Sequence, residues 1–330
     1  MARAAIALGA NLGERFAVLT RAVRSLHRPA IGLEVKAISS WYETEPVGPP
    51  QPLYINGCLV LETSLSPLRL LAELQQREVE AGRVRTVHWG ARTLDLDLLW
   101  YDDCVLASPE LTLPHPRLEE RAFVLVPLAE VAPDWQHPLT LKRLVQLRRN
   151  CDEQGVGRYT RRALVLCPLG PVDLRPLVRE DFDALQALAT RCWWQTYRGL
   201  LSDEAIESFI RYTYNLETIA YAAERADGRF WVAEDPAGGL IGFTQAVIAA
   251  DRAHLSRLYV APECQGLGLG TALWQLVRGE LEAQGVQRCT LTVLNTNTVA
   301  IRFYEHLGFE RTGPSGDNRY EYVFYLDSNV

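Results

Sequence analysis

The first half of the sequence predicts a ferredoxin-like α+β sandwich, because its hydrophobic periods follow the order strand, helix, strand, strand, helix, strand. The chain of 330 residues is long enough for two domains, each with a core of its own. Its content of 48% hydrophobic and 22% charged residues is ordinary for a globular protein.

The elements of the first half follow from these periods. Residues 4–9 are an apolar run ending at a glycine, which predicts a buried strand, and an apolar stripe of helical spacing follows it. Further strands are predicted at 33–42, at 54–63 and through Asp95 and Asp97, with a helix at about 66–82. The loop at 44–52 contains four prolines. It is either a plain connection or a substrate-binding loop, and its position before an aromatic residue favours binding.

Asp95 and Asp97 are the first candidate functional residues. They alternate with leucines, so both carboxylates leave the same face of the predicted strand. Carboxylates suit Mg²⁺, which completes its shell with waters and substrate phosphates. Without further evidence, the acid pair is better explained by an exposed strand face with two solvated acids than by a Mg²⁺ site.

Three arginines near the acids change this balance. Arg83, Arg85 and Arg92 all precede the strand closely. Because guanidinium groups match phosphate oxygens in a bidentate fork, cations together with metal-binding acids favour a nucleoside triphosphate site. A surface cluster of salt bridges is the less favoured alternative.

The run His-Trp-Gly-Ala-Arg-Thr-Leu-Asp-Leu-Asp-Leu-Leu at 88–99 resembles the signature of 6-hydroxymethyl-7,8-dihydropterin pyrophosphokinase, a folate-pathway family. The resemblance extends from Ala5 to about Gln146. It implies a sandwich fold of that type and pyrophosphate transfer from ATP to the pterin alcohol. It also implies that Asp95 and Asp97 bind two Mg²⁺ ions, while Arg83, Arg85 and Arg92 offset phosphate charge. Arg92 is the strongest candidate for transition-state stabilisation.

The same resemblance implies the substrate contacts. Those for the pterin are Thr44, Val47, Tyr54, Asn56 and Phe123, with the two rings stacking on it, and those for ATP are Glu78, Trp89, His115 and Arg121. From the residues alone, Tyr54 and Phe123 could be core aromatics, which is the commoner fate of such residues. His115, between two prolines, could simply shape a turn.

The overall composition of the chain excludes several classes of function. A net charge of −6 gives no general affinity for nucleic acid or an anionic membrane. Seven scattered cysteines without a Cys-x-x-Cys pair argue against a disulfide framework or a zinc site. With no signal peptide or membrane-spanning stretch visible, we expect a cytoplasmic protein acting on small molecules. The oligomeric state is left open.

A change in composition divides the chain. Non-periodic sequence up to residue 158 and the Pro-Leu-Gly-Pro run at 168–171 predict a first domain at 1–160, a linker at 161–171 and a second domain at 172–330. An aromatic run at 193–201 lies on predicted helices. Its rings are either core or the wall of an acceptor pocket, with core as the default.

A glycine-rich turn characterises the second domain. A strand at 255–260 runs into Gln265-Gly266-Leu267-Gly268-Leu269-Gly270, which opens an apolar-periodic helix. Backbone amides and the positive helix end then meet at one place, a geometry that suits a pyrophosphate. A dinucleotide-binding domain is disfavoured, because no βαβ unit precedes the turn and no second Rossmann half follows.

The turn resembles the acetyl-CoA signature of the GCN5-related N-acetyltransferases, and Phe303-Tyr304-x-x-x-Gly308-Phe309 matches that family's later motif. The resemblance covers roughly 172–326 and implies a mixed α/β fold with a central, mostly antiparallel sheet. It implies acetyl-CoA contacts that fall on the strand, the turn and the later motif: Leu258, Tyr259, Val260, Gln265, Gly266, Gly268, Gly270, Thr271 and Asn297.

The sequence offers fewer candidate catalytic residues in the second domain than in the first. By the resemblance, the Tyr304 phenol protonates the departing thiolate, although a core aromatic with a satisfied hydroxyl is the alternative. Many relatives carry a glutamate where this chain has His254, which is a candidate general base or simply a surface residue. We therefore predict a bifunctional enzyme with an unidentified amine acceptor. The alternative is a pyrophosphokinase joined to a non-catalytic, acyl-CoA-sensing or dimerising module.

Overall fold

The computed structural model describes residues 1–46, 48–82, 90–316 and 318–326. They divide into two compact units, with the division between Tyr159 and Thr160. Four residues with predicted functions, Val47, Arg83, Arg85 and Trp89, lie outside the described residues. Within the described ranges, no helix combines the length and the apolar character needed to cross a membrane.

The first unit is an α+β sandwich, as the periods predict. Its strands are β1 (Ala2–Ala10), β2 (Leu33–Ile38), β3 (Tyr42–Thr44), β4 (Tyr54–Thr63), β5 (Asp95–Tyr101), β6 (Leu106–Ala107), β7 (Thr112–Leu113) and β8 (Val156–Arg158). Its helices are α1 (Arg15–Leu26), α2 (Pro67–Glu80), α3 (Ala122–Val131) and α4 (Leu144–Arg149).

The main sheet of this unit has the strand order β5-β1-β4-β3-β8, and β2 pairs with β4 next to β3. The single strand predicted at 33–42 is divided into β2 and β3. Between them, the Ser39 hydroxyl accepts a hydrogen bond from the Cys58 amide. Strand β4 forms the buried centre of the sheet. Strand β5, with the two acids, is an edge strand.

The second unit is a mixed α/β domain. Its strands are β9 (Ala163–Cys167), β10 (Gly170–Pro176), β11 (Gly228–Glu234), β12 (Leu240–Ala249), β13 (Arg252–Val260), β14 (Arg288–Leu294), β15 (Glu310–Pro314) and β16 (Arg319–Tyr325). Its helices are α5 (Phe182–Tyr197), α6 (Asp203–Thr213), α7 (Leu216–Glu224), α8 (Leu269–Ala283) and α9 (Thr298–His306).

These eight strands form one sheet in the order β15-β16-β14-β13-β12-β11-β10-β9. All neighbours are antiparallel except β13 and β14, which are parallel. The predicted central, mostly antiparallel sheet is therefore confirmed.

The structure differs from the predicted linker at 161–171. Residues of this segment form β9 and its hairpin turn into β10, with Val165 opposite Val172. Leu164 is buried, and Arg162 forms a bidentate ion pair with the buried Asp173. The Pro-Leu-Gly-Pro run that resembled a linker is thus a turn within the second unit, and apolar burial explains the strand before it.

Gly57, in the centre of β4, has no room for a side chain. A Cβ placed there would lie 2.7 Å from two ring carbons of Trp41, which is only 1% exposed. We expect Gly57→Ala to lower the free energy of unfolding of the first unit by about 1–3 kcal/mol, because a fully buried ring must shift. Chemical unfolding, monitored through hydrogen exchange of the strand amides of the first unit, measures this change.

Gly157→Ala is the matched control. Gly157 is also a strand glycine, but its added Cβ meets only the Glu43 carbonyl oxygen at 3.9 Å. The two variants should therefore differ clearly, and equal stability of both would show that Trp41 tolerates the methyl group.

Candidate functional sites

Asp95 and Asp97 lie on one face of β5, as the alternation predicts, while Leu96 and Leu98 are buried on the other. The strand register extends this face across the sheet. Asp95 is opposite Gly9 of β1, and Gly9 is opposite Asn56 of β4. At the usual spacing of strands, Asp95 and Asn56 are roughly 10 Å apart across the sheet.

Each acid has an arginine partner. Arg92 forms a short ion pair with Asp95, and the Arg121 Nη1 lies 3.1 Å from the Asp97 Oδ2. Both arginines are predicted site residues, so the structure brings four of them together. The guanidinium groups offset the repulsion between two carboxylates on one face.

The acid pair fits a hydrated Mg²⁺ better than a metal held by protein alone. No group of three or more His, Cys, Asp or Glu side chains arranged for a metal ion occurs within the described residues. Mg²⁺ commonly takes only one or two carboxylates and fills its other positions with water and phosphate oxygens. Asp95 and Asp97 could therefore hold Mg²⁺ once a phosphate ligand shares it.

A cavity of about 560 Å³ lies over this face of the sheet. Its lining includes nine predicted or adjacent site residues: Gly9, Thr44, Tyr54, Asn56, Arg92, Asp95, Asp97, Arg121 and Phe123. The candidates for an anionic ligand and those for a flat heterocycle thus surround one space.

The polar part of the cavity wall is held in place by hydrogen bonds. The Asn56 amide nitrogen donates to the Thr44 hydroxyl over 2.6 Å, and both residues are buried. Asn56 can take this position because Gly9 has no side chain. A Cβ on Gly9 would lie 2.8 Å from the Asn56 Oδ1.

Two aromatic residues complete this part of the lining. Phe123, at the start of α3, lies 5.6 Å from the Arg121 guanidinium carbon. The Tyr54 hydroxyl lies 3.5 Å from the Gly90 carbonyl oxygen, which is a weak hydrogen bond at most. Neither ring is sealed in the core, so the alternative that both are core aromatics is not supported.

Glu78 needs a correction. The resemblance implies a contact with ATP, but Glu78 is only 3% exposed and does not line the cavity. Its Oε1 instead accepts a hydrogen bond of 2.8 Å from the Leu96 amide. Since β5 is an edge strand, this amide would otherwise lack a partner in the sheet. Among its described contacts, Glu78 therefore holds the strand that carries both acids.

His115 also lies outside the cavity lining. Burial lowers its pKa, and the nearby Asp97 only partly opposes this shift. The Nδ1 accepts a hydrogen bond from the Arg117 amide, which leaves the proton of the neutral ring on Nε2. His115 is therefore prepared to donate one hydrogen bond while uncharged.

Sequence reasoning missed two contributions to this site. Asp152, Gln154, Gly155 and Val156 line the cavity because β8 pairs with β3, with Val156 opposite Thr44. Asn11 fixes the Arg92 backbone, since its Oδ1 accepts from the Arg92 amide over 2.7 Å. The only available signal for Asn11 was its place in a tight turn after a strand, and β8 is too short to show a period.

A second candidate site lies where β13 and β14 separate. Their ladder covers only three pairs, from Arg252 to His254 on β13. Beyond it, β13 continues to Val260 without a strand partner on that side among the described residues. The predicted backbone contacts Leu258, Tyr259 and Val260 all lie on this unpaired edge.

The glycine turn leads into α8 as predicted. Gly266 and Gly268 have φ values of 76° and 81°, which favour glycine, and α8 begins at Leu269. Thr271 lies in the first helical turn, and the Gln265 side chain lies 3.4 Å from the Val260 carbonyl oxygen. The start of α8, with its unpaired backbone amides, therefore lies close to the end of β13.

Gly270 has a further reason to be glycine. It lies inside α8, where a Cβ would be 2.9 Å from the Phe303 ring of α9. Close packing of the two helices therefore requires a glycine here, whether or not its amide contacts a ligand. Asn297 similarly has a structural task, since its Oδ1 caps α9 by accepting from the Ala300 amide.

Three tyrosines surround the gap between β13 and β14. The hydroxyls of Tyr197 and Tyr259 are 3.3 Å apart. Burial raises the pKa of Tyr304, and Tyr197 adds to this shift. Tyr304 therefore keeps its phenolic proton well above neutral pH.

His254 occupies the last paired position before the strands separate. Its Nδ1 lies 3.2 Å from the Thr290 hydroxyl. The residue is exposed to solvent, although desolvation of the ring by the neighbouring strands lowers its pKa, with a smaller opposing effect of Glu321. A neutral imidazole at this position could accept a proton.

The first site thus combines two carboxylates, two guanidinium groups and two accessible rings. These groups suit a transferase whose ligand carries phosphates beside a flat ring. The family described as 7,8-dihydro-6-hydroxymethylpterin-pyrophosphokinase matches residues 5–133. The pyrophosphokinase of Synechocystis is 49% identical over 149 residues, which is 45% of this chain and 76% of that protein. The corresponding Pseudomonas aeruginosa enzyme is 42% identical over 47% of this chain and 96% of its own length.

The acetyltransferase (GNAT) family matches residues 191–309 of the second unit. A crystal structure of the PaiA N-acetyltransferase from Thermoplasma acidophilum, in complex with coenzyme A, is 31% identical over 47% of this chain and 98% of that one. Its TM-score is 0.45.

The chain belongs to the 7,8-dihydro-6-hydroxymethylpterin-pyrophosphokinase family through its first unit. Its second unit carries a GNAT acetyltransferase domain. The protein is therefore a pyrophosphokinase of folate synthesis fused to an acetyltransferase-type domain, and the predicted family resemblances are both confirmed.

Gly9 gives a prediction for the first site. We expect Gly9→Ala to raise KM for the dihydropterin at least about tenfold, because the added methyl group displaces Asn56 and its hydrogen bonds. Steady-state kinetics on the full chain would measure this effect. If Gly9 acts through Asn56, adding Gly9→Ala to an Asn56→Ala variant should have little further effect, whereas additive losses would contradict the link.

Proposed function

We propose that the first unit transfers pyrophosphate from ATP to 6-hydroxymethyl-7,8-dihydropterin, giving AMP and the pterin pyrophosphate. The observation that carries the proposal is the single cavity in which Asp95, Asp97, Arg92 and Arg121 adjoin Asn56 and two accessible rings. Its width across three strands suits a triphosphate beside a bicyclic heterocycle.

In this proposal the pterin stacks between Tyr54 and Phe123, and the Asn56 and Thr44 side chains read its polar edge. The hydroxymethyl oxygen attacks the β-phosphorus, its proton is lost, and the bond from the β-phosphorus to the α-phosphate oxygen breaks. Arg92 and Arg121 shift from the carboxylates to the phosphate oxygens, where negative charge accumulates. His115 donates a hydrogen bond to the nucleotide through Nε2.

Two Mg²⁺ ions held by Asp95 and Asp97 would neutralise phosphate charge and orient the triphosphate for in-line attack. The chain's own residues fix this arrangement, because Glu78 anchors β5 and Asn11 anchors the Arg92 backbone. Arg83 and Arg85 are proposed to add positive charge, as the family resemblance implies.

Asp97→Asn tests the metal assignment. The change keeps the shape of the side chain but removes its charge, so we expect AMP formation with the pterin alcohol to fall by at least about 10³-fold. Asp103→Asn, on an exposed turn, is the control and should retain activity. Near-normal turnover of Asp97→Asn across a Mg²⁺ titration would refute the assignment.

We further propose that the second unit acetylates an amine with acetyl-CoA. The supporting observation is the short ladder between β13 and β14 next to the glycine turn. The amides from Gln265 to Thr271 would bind the pyrophosphate of the cofactor, and the unpaired edge of β13 would bind its pantetheine arm.

The acyl transfer then requires two proton movements. His254, neutral because of its lowered pKa, would take the proton from the attacking amine, directly or through a water. The amine nitrogen attacks the thioester carbonyl, the carbon–sulfur bond breaks, and Tyr304 would give its proton to the leaving thiolate. The raised pKa of Tyr304 keeps that proton available near neutral pH.

Tyr304→Phe separates catalysis from binding. We expect acetyl transfer to fall by about 10²-fold, because the leaving thiolate loses its proton donor, while calorimetry gives an unchanged affinity for acetyl-CoA. Weaker binding would point to a packing role of the ring. An unchanged rate would remove Tyr304 from the mechanism and favour a domain that binds acyl-CoA without using it.

We propose a cytoplasmic location. All seven cysteines lie within the described residues and none forms a disulfide, which suits a reducing compartment.

A further inference from the structure

Arg257 of β13 is held between aromatic rings. Its guanidinium carbon lies 5.1 Å from the centre of the Tyr214 ring and 5.6 Å from that of Phe230. Its Nη1 donates a hydrogen bond to the Oε1 of the buried Gln245, whose amide nitrogen lies 3.4 Å from the Ala222 carbonyl oxygen. The guanidinium is therefore fixed in position by neutral groups.

The charge of Arg257 has no acidic partner among the described residues. Five other half-buried arginines of this unit do have one. Each of these forms an ion pair with a carboxylate: Arg162, Arg175, Arg225, Arg229 and Arg278. The Nε and Nη2 of Arg257 make no hydrogen bond to a described residue, and neither is sealed from solvent. Two N–H donors and a full positive charge are thus available to a ligand.

The strand register shows which side of the sheet Arg257 occupies. It is opposite Gln245, and Tyr259 is opposite Phe243 one row further on. A bulge at Ser256 returns His254, opposite Val247, to the same face. The side chains of His254, Arg257 and Tyr259 therefore share one face of β13, and Tyr259 packs there against Trp193 of α5.

The glycine turn and α8 lie on the opposite face of the sheet. Leu258 points there, since its Cδ2 is 3.7 Å from the position of a Cβ on Gly270. A cofactor held by the helix start reaches the gap beside β13 from the α8 side. The attacking amine must then arrive from the other face, which is the face of Arg257.

We propose that Arg257 binds a carboxylate of the amine acceptor, so that the substrates of the second unit are carboxylate-bearing amines such as free amino acids. The inference rests on the proposed acetyltransferase function and narrows its acceptor. A fixed guanidinium on the face from which the amine arrives holds the carboxylate through paired hydrogen bonds. It also repels polycationic amines.

The test uses the full chain with acetyl-CoA and matched pairs of acceptors, the free L-amino acids and their carboxamides, together with spermidine. Thiol release reports turnover. We expect at least one free amino acid to be acetylated with a kcat/KM at least about tenfold above that of its amide, mainly through KM. Arg257→Gln should remove this preference, and Arg257→Lys should restore part of it.

Arg278→Gln is the matched control. Arg278 also lies over a ring, 5.4 Å from the centre of Phe324, but it is paired with Glu282 on α8. Its loss should leave the preference for carboxylates unchanged. Acetyl-CoA binding by calorimetry, measured for every variant, shows that the cofactor site is intact.

The outcomes separate the two proposals. Failure of the folded wild-type chain to bind acetyl-CoA would overturn the acetyltransferase function and this inference with it. If acetyl-CoA binds but no carboxylate-bearing amine is preferred, or the preference persists in Arg257→Gln, only the role of Arg257 is wrong.

Discussion

Two like charges on one face of an edge strand are the constraint on which the first unit depends. Asp95 and Asp97 repel each other, and their strand has a neighbour on one side only. Arg92 and Arg121 compensate the charges, and the buried Glu78 supplies the missing hydrogen bond to the strand. The result is an acidic strand that is anchored by Glu78 and carries an arginine beside each carboxylate.

The second unit depends on a different constraint, a parallel strand pair that stops after three residues. The separation leaves backbone groups of β13 available in the middle of a sheet, where they would normally be paired. Tyr197, Tyr259 and Tyr304 surround the gap, while the glycine turn lies near the end of β13. In the proposed acetyl transfer, a sheet opened in this way would give the cofactor and the acceptor access from opposite faces.

Much of this arrangement could be predicted from local patterns. Alternating leucines define the face of Asp95, and a glycine turn before an apolar period predicts the start of α8. Contacts between distant segments could not be predicted in the same way. The hydrogen bond from Leu96 to Glu78 joins residues 18 positions apart, and Arg257 meets Tyr214 only after folding.

The linker prediction failed for a related physical reason. Proline and glycine at 168–171 indicate a chain reversal, but composition alone does not distinguish a hairpin turn from a connection between domains. The burial of Leu164 and the pairing of β9 with β10 decide the question. The lining of the cavity by Asp152, Gln154, Gly155 and Val156 could not be predicted either, because it depends on the pairing of β8 with β3.

The proposed pyrophosphate transfer depends most on phosphate binding through Mg²⁺ ions at Asp95 and Asp97. The most direct measurement is calorimetric titration of an α,β-non-hydrolysable ATP analogue into the full chain, with Mg²⁺ and with a chelator in its place. We expect the affinity for the ATP analogue to fall by at least about tenfold without Mg²⁺, because two carboxylates then face the triphosphate unscreened. Equal affinity under both conditions would contradict it.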